Sequence, residues 1–196
     1  MKTLNRFPLI LMLFAITISC KNEPKQNKDL AINLATKTTA TKPLSIKEPS
    51  QEFKDYWYAG KAEISSYKLE QARYGEIRQG KAVLIYVTED FLPNKQVKAD
   101  NQNPNNISVL KLNATKKFNT GIYPYSIMQS TFYPVSNNQH AIKVTSSMQE
   151  WCGHVYSQLN NRKQFEITLH SYFEGEADKN FTLQKSIIEH ELWTQL

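Results

Sequence analysis

Cysteine is nearly absent from this 196-residue chain: Cys20 and Cys152 are the only two. That excludes a disulfide scaffold and a four-cysteine zinc ribbon. Glycine is scarce too, at six residues. No G-x-S-x-G elbow and no phosphate-cradling glycine-rich loop occurs, and Gly60-Lys61 and Gly80-Lys81 stand without the rest of a P-loop. There is no paired-aspartate calcium loop. Arginine appears only at 6, 73, 78 and 162, never as an adjacent pair. No apolar run reaches the roughly 20 residues needed to span a bilayer. The longest one, Phe7 to Ile18, is interrupted at Pro8 and Thr17.

That run follows Lys2 and Arg6 and precedes Ser19-Cys20. A short basic region, a short apolar stretch and a small residue form a secretory signal. With cysteine next, the segment resembles a bacterial lipoprotein signal over residues 1–19, in which Cys20 is lipidated and becomes the first mature residue; a plain secretory signal followed by an incidental cysteine is the alternative. Thr17 stands three before the cysteine, where the pattern prefers Leu, with Ile16 one further back. The resemblance implies a membrane partner engaged through lipid: two or more acyl chains anchor a protein that does not span. Removing residues 1–19 takes away Lys2 and Arg6 and no acid, so the net charge falls from +6 to +4. Much of that excess lies in residues 20–50, leaving the remainder near neutral and a nucleic-acid partner without support.

Residues 21–50 contain no aromatic and no glycine, with lysines at 21, 25, 28, 37, 42 and 47 and prolines at 24, 43 and 49. This is linker composition, and a disordered tether with an end-to-end distance of about 30 Å is expected, the alternative being a short packed strand at Ile32 and Leu34. After residue 50 the composition changes, since Phe7 and Phe14 are the only aromatics before it. Residues 51–196 are expected to form a single domain large enough to bury a core.

The pattern of that domain is β-rich. Strands are expected over Tyr56 to Lys68, with Gly60 marking a bulge, and over Tyr74 to Arg78 and Lys81 to Asp90, joined by a tight turn at Gln79-Gly80. Ala82 to Val87 is continuously apolar and reads as a central strand covered on both faces. A polar loop spans Asn94 to Asn106. Further strands are expected over Ile107 to Lys116, over Tyr123 to Val135 with Pro124 and Pro134 confining it to an edge or to its own ends, and over His140 to Met148 after a turn at Ser136-Asn137-Asn138. Another runs from Trp151 to Leu159 before a turn at Asn160-Asn161. The cleanest alternation sets Phe165, Ile167, Leu169, Ser171 and Phe173 against Glu166, Thr168, His170 and Tyr172. Thr182 is placed to cap a helix from Leu183 onward. The fold class is therefore β-rich α+β, a curved or partly closed antiparallel sheet with short terminal helices. The apolar row Ile188, Leu192 and Leu196 still runs where the sequence stops, so the chain is expected to continue.

Few residues suggest chemistry. Cys152-Gly153-His154 pairs a thiol with an imidazole, a nucleophile arrangement or two metal ligands, since positions i and i+2 of a strand share a face. Two ligands are too few for zinc. The plainer expectation is a buried Cys152 beside Trp151, with His154 hydrogen-bonded or at the surface; an intermolecular disulfide is the remaining option. His190-Glu191 begins a zincin motif that fails at Thr194. No metal or cofactor is expected. Tyr56-Trp57-Tyr58 and Tyr123-Pro124-Tyr125 are candidates to line a ligand groove, since aromatics combine broad apolar contact with a polar tip; ordinary packing is the alternative. Asn106, Asn113 and Asn180 open glycosylation sequons that a bacterial lipoprotein has no use for.

At Asp55-Tyr-Trp-Tyr-Ala-Gly-Lys-Ala-Glu-Ile, Tyr74-Gly-Glu-Ile-Arg, Thr88-Glu-Asp-Phe-Leu and Glu150-Trp-Cys-Gly-His the chain resembles a family of lipoproteins from the Bacteroidetes, over residues 50 to the end. Members are often labelled septum formation inhibitor Maf. That label implies a cytoplasmic nucleotide pyrophosphatase with a Ser-x-Ser-Pro-Arg-Arg motif, which this sequence lacks. The resemblance implies a cell-envelope location and supplies no catalytic residues. The expected function is non-enzymatic: a lipid-anchored module that binds or carries a lipid, a glycan or an envelope protein along a concave sheet face. The alternatives are an envelope hydrolase or thiol enzyme using Cys152 with His154, and the pyrophosphatase of the label.

Overall fold

The computed structural model describes residues 48–136 and 140–185. The described residues hold one helix, α1 (Gln51–Trp57), and nine strands: β1 (Glu63–Arg73), β2 (Glu76–Leu92), β3 (Val97–Lys98), β4 (Ile107–Thr120), β5 (Tyr123–Pro134), β6 (Lys143–Glu150), β7 (Gly153–Asn161), β8 (Phe165–Ser171) and β9 (Lys179–Leu183). All join one antiparallel sheet in the order β1-β2-β4-β5-β6-β7-β8-β9, with β3 added to the end of β2. Apart from β3, each strand pairs with its neighbours in sequence, so short turns suffice. The sheet is open, with β1 and β9 as its edges. No helix among the described residues is long and apolar enough to cross a membrane.

The β-rich class agrees with the sequence reading, as do strands beginning at Ile107 and Phe165, which end at Thr120 and Ser171 rather than at Lys116 and Phe173, while the expected polar loop over 94–106 carries the short β3. Several boundaries do not. Residues 51–57 form a helix, because Ser50 Oγ accepts from the Phe53 amide at 3.1 Å and caps its first turn. Tyr56 and Trp57 are thus helical, Tyr58 is the C-cap, and Gly60 is a left-handed connection (φ 70°) rather than a bulge. The hairpin does not turn at Gln79-Gly80. It turns at Tyr74-Gly75, both with positive φ (54° and 75°), between the paired Arg73 and Glu76. Two left-handed residues match the twist of the flanking strands. Gln79 and Gly80 lie within β2, opposite Glu70 and Leu69.

Ala82 to Val87 is not central: it lies in β2, paired on both sides but next to the edge strand β1, and all six residues are only half-buried. β5 is internal as well, between β4 and β6, and its prolines sit at its two ends. Asn160 and Asn161 belong to β7, whose turn into β8 comes after them. Tyr172 and Phe173 lie beyond β8. Thr182 does not cap a helix: it pairs with Glu166 in β9. Asn137, Asn138 and the segment from residue 186 on, with its expected C-terminal helix, lie outside the described residues.

Register sorts the side chains onto two faces, since alternate residues point oppositely. The front face carries Leu84 and Tyr86 of β2, Leu110, Leu112 and Phe118 of β4, Tyr125 and Tyr133 of β5, Val144, Leu159, Ile167 and Phe181. Tyr133, Ala141, Val144 and Leu159 form its packed centre. On the back face Phe91 and Val109 are fully buried, with Phe91 tilted against Phe132 at 5.2 Å. Gln96 (φ 57°, 3% exposed) ties the loop after β2 to β7: its amide donates to the Asn161 carbonyl at 2.7 Å and accepts from Asn160 at 2.6 Å.

Candidate functional site

The front face is the candidate ligand-binding surface. Cross-strand pairing arranges it in rows. One row runs Glu63, Tyr86, Leu112, Thr131, Val144, Leu159, Ile167, Phe181. A parallel row runs Tyr67, Ala82, Lys116, Ile127, Met148, Val155. Between them lie Leu84, Ala114, Gln129, Ser146 and Ser157, mostly short side chains. This row is the candidate trough: Leu112, Val144 and Leu159 border it on one side, Ile127, Met148 and Val155 on the other, and Ala82 and Lys116 stand beside its β2–β4 end. Row spacing along a strand is two residues, about 6.6 Å. The trough residues are all half-buried.

The five aromatic candidates fall on this face but at opposite ends. α1 packs where β2 approaches its C-terminus: Trp57 meets Tyr86 at 6.2 Å, and Thr88 Oγ1 donates to the Trp57 carbonyl at 2.5 Å. Tyr56 is 58% exposed and donates to Glu63 Oε2 at 2.9 Å, which raises its hydroxyl pKa. Tyr58 is exposed and sets its ring edge-on to Phe53. A recess of about 280 Å³ beside Tyr56 and Trp57 is lined also by Asp55, Ala59, Lys61 and Glu63. It is just below the range of small-molecule sites.

Tyr123 and Tyr125 sit at the other end, where β4 turns into β5. Tyr86 and the Gly80 that faces Phe118 are six residues apart along β2, about 20 Å. One compact ligand therefore does not touch both aromatic groups. Tyr125 is buried and stacks flat on Phe118, with centroids at 4.8 Å. Its hydroxyl shares a 3.0 Å hydrogen bond with that of Tyr74, which is the first cause of its raised pKa. Arg73 lies over both rings, 4.5 Å from the Tyr74 centroid and 5.2 Å from that of Tyr125. Tyr123 Oη donates to Glu150 Oε2 at 2.7 Å and accepts from the Cys152 amide at 2.6 Å. Burial first, then hydrogen bonding to Cys152 and Glu150, holds this hydroxyl far above the usual phenol range. Trp151 leans on the Tyr123 ring at 5.1 Å yet stays 63% exposed.

Cys152 is not buried. It sits exposed in the turn between β6 and β7 with a free thiol. His154 is exposed on the back face of β7, opposite Gln149. The same-face argument required both residues in one strand, and the turn removes Cys152 from it. Among the described residues no group of three or more His, Cys, Asp or Glu is placed to hold a metal. Cys20, His190, Glu191 and Thr194 lie outside the described residues.

Sequence reasoning missed Arg73, Phe118 and the trough. Phe118 meets Tyr125 only through the β4–β5 register. Arg73 was legible only once the turn was placed at Tyr74-Gly75. The trough is a sum over five strands, and no stretch of sequence contains it. Comparison with protein-family models, with curated proteins and with solved structures finds no match to this chain.

Proposed function

We propose that this chain is a lipid-anchored protein of the bacterial cell envelope that binds an apolar ligand, foremost an acyl chain of a lipid, on the front face of its sheet. One observation carries the reading. The front face carries apolar side chains on every strand from β1 to β9, interspersed with Glu63, Lys116, Gln129, Thr131, Ser146 and Ser157, and no second sheet or further helix among the described residues covers it. Tyr67, Phe181 and Leu183 on this face are 52%, 45% and 51% exposed. The centre of the face, at Leu110, Leu112, Tyr133 and Val144, is buried, so its water-exposed apolar side chains lie toward the β1 and β9 edges, and exposed apolar patches mark binding sites. The signal-like residues 1–19 and Cys20 supply the envelope location, and the resemblance to Bacteroidetes lipoproteins supports it.

The test is titration of the full-length chain with a fluorescent long-chain fatty acid. Saturable binding is expected, weakened about tenfold or more, some 1.4 kcal/mol, by Leu84→Asp, which puts a charge in the trough, and by Ser146→Trp, which fills it. Binding that is unsaturable, or indifferent to both substitutions in folded protein, would sink the reading. Displacement of the probe by an envelope glycan or protein alone would reassign the ligand.

A further inference from the structure

The back face carries a row of positive charge that the fold does not neutralise. Lys68 of β1 stands directly opposite Lys81 of β2, and Lys81 directly opposite Lys117 of β4. All three are exposed. None has a carboxylate within ion-pair distance among the described residues. The row continues through Ser126, Gln149 and His154 without an acid. Glu70, two residues along β1 on the same face, is engaged by Gln79 Nε2 at 3.2 Å. Glu89, further along β2, is engaged by Lys98 and Lys111.

Like charges directly opposite each other in a sheet are destabilising. Here three are in register on adjacent strands about 4.8 Å apart. Exposed aliphatic side chains flank them on the same face: Ile64 at 66%, Ile77 at 60% and Met128 at 46%. Basic groups that seek anions, beside apolar groups that seek hydrocarbon, are the two chemistries of an anionic bilayer surface.

We infer that the Lys68–Lys81–Lys117 row docks the back face of the sheet on anionic lipid headgroups, with Ile64 and Ile77 reaching toward the acyl boundary. The front face is then left free for its ligand. That a membrane lies within reach rests on the lipid-anchor reading; the surface itself does not. Each lysine near an anionic surface contributes about a fivefold gain in affinity, so the three together give on the order of a hundredfold.

The test is flotation of the full-length chain, made in a cell-free system that adds no lipid to Cys20, with vesicles of phosphatidylcholine alone or mixed with phosphatidylglycerol. Preferential binding to the anionic vesicles is expected, weakening as salt shortens the screening length. The K68Q/K81Q/K117Q chain should lose that preference on the order of a hundredfold and unfold at the same or a higher temperature, since repulsion is relieved. The K68R/K81R/K117R chain should keep it. Equal binding to both vesicles, or an unchanged preference in the glutamine variant, would overturn the inference. So would tighter binding to a soluble acidic polysaccharide, which would make a glycan the partner. Because the chain carries no lipid in this assay, failure of the anchor reading leaves these outcomes readable.

Discussion

Single side chains at the β4–β5 turn are held by contacts that no local pattern announces. Tyr123 both donates, to Glu150, and accepts, from the Cys152 amide, so its hydroxyl pins two turns together. Its raised pKa makes a directional prediction. The folded chain keeps a proton that the unfolded chain releases near pH 10, so this group's stabilisation is present below pH 10 and is lost as pH rises above it. Tyr123→Phe should lower the midpoint of thermal unfolding at pH 8 and flatten its decline between pH 9 and 11. Tyr125, Tyr86 and Tyr156 are also raised and keep some of the slope. An unchanged slope in circular-dichroism melts would show that Tyr123 is not the linked group. The Tyr123 and Tyr125 aromatics were legible as candidates because two tyrosines flank a proline. Their partners Glu150, Phe118 and Arg73 were not, since they stand 27, 7 and 52 residues away.

Among the elements, β2 shows why turn chemistry misled. Gln-Gly between two apolar stretches is a reasonable hairpin signal, yet β2 runs 17 residues straight through it. Gly80 is needed for another reason. A β-carbon there would collide with the Lys117 carbonyl and stand 2.8 Å from the β-carbon of Phe118. Glycine thus lets β4 approach closely at the point where Phe118 turns to stack on Tyr125. The turn itself falls on Tyr74-Gly75, where a tyrosine takes a left-handed conformation that its hydroxyl bond to Tyr125 and the Arg73 guanidinium hold in place. Gly80→Ala is expected to destabilise the fold by about 1–3 kcal/mol through overpacking, although a glycine-to-alanine change at an unstrained site normally stabilises. Urea unfolding measures it, and a stabilised Gly80→Ala would refute the close-approach account. Helix α1 was missed for a related reason: Tyr56-Trp57-Tyr58 has strand-like composition, and the capping Ser50 outweighs it locally.

Among the described residues, a meander of sequential hairpins leaves β1 and β9 as open edges, and the proposed roles divide between the two faces of the sheet. The membrane reading adds a prediction outside the described residues. If Cys20 is the lipidated residue, Cys20→Ala should abolish incorporation of labelled palmitate and move the protein from the membrane pellet to the soluble fraction. Retention of label would assign the lipid elsewhere. The β-rich class and a strand beginning at Phe165 were determined by sequence alone, because alternation and turn residues are local properties. Register was decided only in the tertiary structure. A one-residue slip would exchange the two faces. It is register that lines up Leu84, Ala114, Gln129, Ser146 and Ser157 into a trough, and Lys68, Lys81 and Lys117 into a charged row. Residues so far apart in the chain become neighbours only through backbone hydrogen bonds that no single strand contains.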